Sequence, residues 1–171
     1  MWRAVCAALL VLTTATPARA HDGSHAVAAV RTGQPWDFTL PALDGSRFIQ
    51  TASLKGPVLV NFWGKDCGPC ITELPMLEAF AKDNPAWTVL LISTDTPADA
   101  REFVQRHHVR LPVLRSGANV AALMRSAGNK TGALPFTVAL SDSQICEGQL
   151  GELDLKDLQR MSLACAAPPR P

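Results

Sequence analysis

From Trp36 onward the apolar positions fall into short runs whose spacing alternates between two kinds. Phe38, Leu40 and Leu43 lead into Asp44-Gly45, a turn signal, and Ser46 to Ile49 returns, which predicts a short hairpin. "VLVNFW", opened by Pro57, is a continuous apolar run of strand length rich in β-branched and aromatic residues, the pattern of a strand buried on both faces. Ile71, Leu74, Leu77 and Phe80 then recur at helical spacing, so a helix is predicted from near Cys67 to about Lys82, with Pro75 expected to kink it. "WTVLLIS" predicts a second buried strand, Asp95 and Pro97 a helix start, and Ala98 to His107 the helix itself. "LPVL" fits a short strand and Asn119 to Ser126 a short helix. "PFTVAL", "QICEGQL" and a helix from Asp154 to about Cys165 close the pattern. Strands alternating with helices, then a hairpin and a last helix, describe an α/β protein with a mixed central β-sheet flanked by helices on both faces.

The N-terminus does not belong to that pattern. Residues 1–20 carry Arg3, then a nine-residue apolar run from Ala4 to Leu12 and the small-x-small sequence Ala18-Arg19-Ala20, which reads as a signal peptide cleaved after Ala20. A membrane anchor would need about 20 apolar residues. Cys6 lies at the front of the apolar run rather than behind it, so lipid anchoring is not expected. Residues 21–33 are polar and small, a flexible leader whose His21 and His25 could hold a stray Cu or Ni ion. Residues 34–166 form one domain, and 167–171, with "PPRP", a disordered tail. At 171 residues, with 47% apolar and 18% charged composition, the chain has the material for one real core. Cleavage would leave 14 basic against 15 acidic residues, and no basic run marks a nucleic-acid or membrane-surface partner. It would also leave four cysteines, an even number in a protein exported to a disulfide-permissive compartment, the periplasm.

Cys67 and Cys70 are separated by two residues where a helix begins. As a metal site the pair supplies two of the four ligands that structural zinc needs, so no metal is expected. As a structural disulfide it closes too small a loop to restrain the unfolded chain strongly. A redox pair accounts for the position. At a helix N-terminus, unsatisfied N–H groups and the helix dipole favour an anionic sulfur, making Cys67 the nucleophile. Cys70 is then the resolving thiol. Gly68-Pro69 suits the first helical turn, where the missing proline N–H is of no consequence.

These residues also carry a resemblance. "NFWGKDCGPC" is similar to the active-site segment of the thioredoxin superfamily, and "PWDFTLPALDG…SLKGPVLVNFW…CGPCITELP…LLIST…LPFTVAL" resembles the exported TlpA, ResA and CcmG-like branch over roughly residues 33–151. The resemblance implies a thioredoxin-like fold with an N-terminal hairpin. It implies a periplasmic thiol-disulfide oxidoreductase, usually a reductase in cytochrome c or copper-centre maturation, with no cofactor beyond the dithiol. Trp63, Cys67, Cys70, Glu73 and Pro135 fall on functional positions of that branch. Glu73 would be a partly buried carboxylate handling protons near the second sulfur. Leu134-Pro135 would carry a cis proline beside the dithiol, exposing backbone to a substrate chain. Trp63, Asp66, Gly68, Pro69 and Leu134 are the expected substrate contacts, with core packing an equal alternative for Trp63.

Two departures bear on the chemistry. Asn61 stands where cytosolic thioredoxins carry a buried Asp, a role Glu73 could take over. Asp66 precedes the nucleophile and opposes its anion with about 1 kcal/mol, comparable with the helix-terminus benefit of about 0.3–1, while Lys65 offsets part of it. That balance favours a reducing protein.

Cys146 lies in "QICEGQL", and Cys165 shares a stripe of the last helix with Leu155, Leu158 and Ser162. The stripe should face the sheet, so the two sulfurs are expected either to bridge or to stay as buried thiols. His107 and His108 end a helix, where cationic side chains are favourable. The expected partners are protein disulfides or thiols and a membrane-embedded thiol-electron donor, with the protein itself a monomer. Two other uses of the dithiol stay open: disulfide donation by an oxidase or isomerase, and Cu(I) capture by an assembly factor, for which no Met or His is well placed. Peroxiredoxins share the "DFTLPALDG" type of opening but place a Thr three residues before the reactive Cys, where this chain has Gly64.

Overall fold

The computed structural model describes residues 30–166. The signal peptide, Cys6, His21, His25 and the Pro-rich tail lie outside the described residues. Seven strands and four α-helices follow in the order β1 (Thr39–Pro41), β2 (Phe48–Gln50), β3 (Val58–Trp63), α1 (Gly68–Asp83), β4 (Thr88–Ser93), α2 (Pro97–His107), β5 (Val113–Arg115), α3 (Val120–Ser126), β6 (Phe136–Ser141), β7 (Gln144–Leu150) and α4 (Leu155–Ala166). A single 3-10 turn covers Thr51–Ser53.

The five-stranded sheet runs β5-β4-β3-β6-β7. The β3–α1–β4 and β4–α2–β5 crossovers join parallel neighbours, and both step toward the same edge, so the right-handed rule lays α1 and α2 on the same face. β6 pairs antiparallel to β3, and β7 antiparallel to β6 at the far edge. β3 is therefore central, and all six of its residues are buried. Because strand side chains alternate, Leu59, Asn61 and Trp63 face one layer while Val58, Val60 and Phe62 face the other. The first layer packs with Cys70, Leu74 and Leu77 of α1, Phe103 of α2, and Leu158, Met161 and Cys165 of α4. The second packs with Trp36, Phe136 and Met124 of α3, and the hairpin side chains Leu40 and Ile49 lie against it. Burying each such side chain contributes about 1.5–3 kcal/mol.

The predicted hairpin is β1–β2, turned at Asp44-Gly45: Gly45 has φ 78°, and Asp44 Oδ1 accepts from the Ser46 N–H at 2.9 Å. It closes the β5 edge, with the Leu43 N–H donating to the Val113 carbonyl at 2.8 Å. Helix α2 is capped by Thr96 rather than by Asp95: Thr96 Oγ1 accepts from the Asp99 N–H, and Asp95 turns back to hold the Lys65 N–H at 2.7 Å. Val30 to Gly33, placed in the leader by composition, are tied to the domain. The Gly33 N–H donates to the Ile145 carbonyl at 2.7 Å, and Val30 covers Gly148 so closely that a Cβ there would lie 2.5 Å from Val30 Cγ2. No helix among the described residues is long and apolar enough to cross a membrane.

Candidate active site

Strand β3 delivers the chain through Gly64, Lys65 and Asp66 to Cys67, which caps α1. Its Sγ accepts from the Cys70 N–H at 3.3 Å, satisfying one of the free donors at the helix start. The two cysteines are bonded, with Cα atoms 5.3 Å apart. They are not equivalent: Cys67 is half-buried and flanked by exposed Asp66, Gly68 and Pro69, whereas Cys70 has no exposed surface. Pro69 sits in the first turn as expected. Pro75 lies inside the helix, which runs on past it to Asp83.

Lys65 Nζ and Asp66 Oδ2 pair at 2.8 Å. The hydrogen bond to Asp66, and its charge, hold the Lys65 ammonium above its ordinary value. Asp66 is 86% exposed, so its field on the adjacent sulfur is screened by solvent as well as by Lys65.

Pro135 leads into β6. The Leu134-Pro135 bond is cis. A Cβ built on Gly64 would lie 3.4 Å from Leu134 Cδ1 and 3.2 Å from Thr94 Oγ1, so the prolyl segment abuts the approach to Cys67. Cys67 and Leu134 lean on the same core layer. The Pro135 carbonyl is taken by the Gly151 N–H at 2.9 Å. Among the described residues, the backbone N–H and carbonyl of Leu134 have no hydrogen-bond partner. Unpaired strand backbone of this kind beside a reactive sulfur can take an extended chain in β fashion. A side chain at Gly64, where peroxiredoxins carry threonine, would press on Thr94 and Leu134.

Glu73 is the group whose surroundings were least visible in the sequence. The resemblance implies a partly buried carboxylate; in the fold Glu73 is 2% exposed. Its Oε1 accepts from Asn61 Nδ2 at 2.6 Å and its Oε2 from the Leu153 N–H at 2.9 Å. Asn61 Nδ2 also donates to Thr137 Oγ1 at 2.9 Å, and its Oδ1 is buried without a partner. Burial pushes the Glu73 carboxyl up from the ordinary 4.5 to about 7; the two hydrogen bonds oppose this and nearby Glu152 adds to it. Asn61, an amide where a second carboxylate would repel, can donate to an ionised Glu73. Turned over, it could accept from a protonated one. Neither Leu153 nor Thr137 was singled out from the sequence. A polar residue inside the apolar run "VLVNFW" was the one signal pointing toward Asn61 as an anchor.

Of the two alternatives for Trp63, the fold fits core packing: it has no exposed surface, and its ring lies 4.7 Å from that of Phe103 inside the first core layer. Cys146 and Cys165 are bonded, joining β7 to α4 across 19 residues. Among the described residues, no three His, Cys, Asp or Glu side chains gather so as to hold a metal ion. A cavity of about 510 Å³ between the hairpin and α2, lined by Arg47, Arg101 and Val104 among others, lies at the other edge of the sheet and includes none of these residues.

A half-buried capping cysteine bonded to a buried partner, with a cis proline at the start of the sixth strand, on a β-α-β-α-β-α-β-β-α frame, defines a thioredoxin-like thiol-disulfide oxidoreductase. The family model described as AhpC/TSA matches residues 32–147, and the chain belongs to that family. Its sequence is 33% identical over 92 residues to thioredoxin of Mycobacterium bovis, covering 53% of this chain and 79% of that one. It is 26% identical over 129 residues to thiol-disulfide oxidoreductase ResA of Bacillus cereus, covering 72% and 71%. A 42% match to the bifunctional thioredoxin reductase/thioredoxin of Mycobacterium leprae covers 38% of this chain but spans only 15% of that protein. A crystal structure from Chlorobium tepidum, described as a DsbE thiol:disulfide interchange protein, superposes with TM-score 0.69 at 19% identity, covering 81% of this chain and all of that one, a likeness of fold. The ResA and DsbE likenesses are similar in kind to the TlpA, ResA and CcmG-like resemblance of the sequence.

Proposed function

We propose that the protein is an exported reductase of protein disulfides. The Cys67 thiolate attacks a substrate disulfide, forming a mixed disulfide and releasing one substrate thiolate, which takes a proton. Glu73, as carboxylate, accepts the Cys70 proton, and the Cys70 sulfur attacks Cys67 Sγ. The Cys67–Cys70 bond forms, the second substrate thiolate leaves, and two electrons have passed to the substrate. An external dithiol donor on the membrane then restores the protein by the reverse exchange. Leu134 pairs its free backbone with the substrate chain, while Asp66, Gly68 and Pro69 form the exposed rim around Cys67.

The observation that carries this reading is the asymmetry of the pair, one sulfur reachable and one sealed beside a buried carboxyl that titrates near neutrality. A group poised at about 7 can both take and return a proton at working pH. The exposed Asp66 beside Cys67 supports the reducing direction, because a like charge disfavours the thiolate that strongly oxidising relatives stabilise. The signal-like N-terminus and the even cysteine count support export, and the ResA and DsbE resemblances support protein substrates such as apo-cytochromes or copper-centre proteins.

Replacing Cys70 by Ala in cells is expected to leave Cys67 covalently attached to its substrates, which can then be identified. The absence of any captured thiol protein would refute the assignment. A reduction potential near −270 mV supports the reductase, and one near −120 mV would make it a disulfide donor.

A further inference from the structure

The turn between β7 and α4 touches the site twice. Gly151, at φ 101°, bends the chain off β7 and donates its N–H to the Pro135 carbonyl at 2.9 Å; two residues on, the Leu153 N–H donates to Glu73 Oε2 at 2.9 Å. The same Leu153 is 4% exposed and belongs to the core layer that holds Cys70, so it closes water away from the carboxyl. What holds the turn is α4. Asp154 and Asp157 exchange backbone-to-side-chain bonds at 3.0 and 2.9 Å at the helix start, and Arg160 reaches back to Gln149 of β7 at 3.0 Å. Leu158, Met161 and Cys165 are sunk in the core, and the Cys146–Cys165 bond ties the helix to β7 covalently.

We infer that Gly151–Leu153 is a positioning element of the dithiol site, and that the Cys146–Cys165 disulfide acts through α4 and this turn to keep Glu73 dry and in register with Pro135. This rests on the reading of Glu73 as the proton-handling group. The disulfide takes no part in electron transfer; its effect is mechanical. Loosening α4 admits water to the carboxyl. Burial is the largest cause of the raised proton affinity and outweighs the opposing Leu153 N–H, so hydration returns Glu73 toward ordinary carboxylate behaviour. The groups that face Glu73 are Asn61 from β3, Thr137 behind it on β6, and Glu152 and Leu153 from the turn; Asp157 is engaged with the helix start and with Arg160.

The test is a carboxyl-carbon NMR titration of Glu73 in the oxidised full-length protein, run beside the pH dependence of disulfide exchange. The wild type is expected to titrate near 7, and Cys146→Ala/Cys165→Ala to titrate lower, toward 4.5, with the exchange midpoint moving the same way. A merely structural disulfide would lower the denaturation midpoint and leave Glu73 at about 7, which would overturn the inference. Should that variant fail to fold, Gly151→Ala decides by the same titration. It keeps both disulfides but strains the turn at a positive φ. Glu73→Gln separates the two readings. An unchanged pH profile in that variant removes the proton role of Glu73, while a moved carboxyl midpoint in the cysteine variant still supports the positioning role.

Discussion

Glu73→Gln is expected to stabilise the oxidised protein above neutral pH and to do nothing of the kind in acid. Glu73 is 2% exposed, and its carboxyl is raised from 4.5 to about 7, so between those values the folded protein binds more proton than the unfolded chain. Stability therefore falls as pH rises through that window, the reverse of a salt-bridged carboxylate. At 1.36 kcal/mol per unit the loss amounts to about 3 kcal/mol, complete above pH ~7. A glutamine keeps the shape and can accept from the Leu153 N–H. With Asn61 turned over, the glutamine amide can donate to Asn61 Oδ1, so the contact between the two side chains is kept. Urea denaturation of wild type and variant at intervals from pH 4 to 8.5, with both disulfides intact, isolates this group because the others cancel in the difference. The variant should gain on the wild type through the window and plateau beyond it. A difference independent of pH, or one that shrinks as pH rises, would refute the buried-carboxyl argument.

Three further outcomes follow from the same structure. Cys146→Ala/Cys165→Ala should lower stability by about 3 kcal/mol, the chain-entropy value for a 19-residue separation, read by denaturant midpoint at constant slope. Leu77→Ala, at a position with no exposed surface in the layer beneath α1, should cost about 2–5 kcal/mol by the same measurement. Asp66→Ala should make the Cys67 thiol more acidic, by less than about one unit because the site is solvent-screened; the pH dependence of its alkylation rate checks this, and a less acidic thiol would contradict the Coulomb argument.

The strands of the sheet and the four helices were legible because each is a run of apolar residues long enough to show its period, and the α1 N-terminus was marked by Cys67, Gly68 and Pro69 together. The dithiol and the cis-capable Leu134-Pro135 were legible because their chemistry depends on residue type and close spacing. Thr96 displaced Asp95 as the cap of α2 because Asp95 had a better partner in the Lys65 N–H, from another element. An aromatic at a strand end fits both a contact and a core residue, and in the fold Trp63 packs against Phe103.

By itself the sequence determined the class of fold, the redox pair and which of its sulfurs starts the helix, all properties carried by neighbours along the chain. Only the tertiary structure decided that Glu73 is sealed from water, held by Asn61 from β3 and by Leu153 from 80 residues away, and that Gly151 links the same turn to Pro135. Burial and backbone hydrogen bonding between distant segments leave no periodic trace in a sequence, and proton affinity is set by that enclosure rather than by the identity of the side chain.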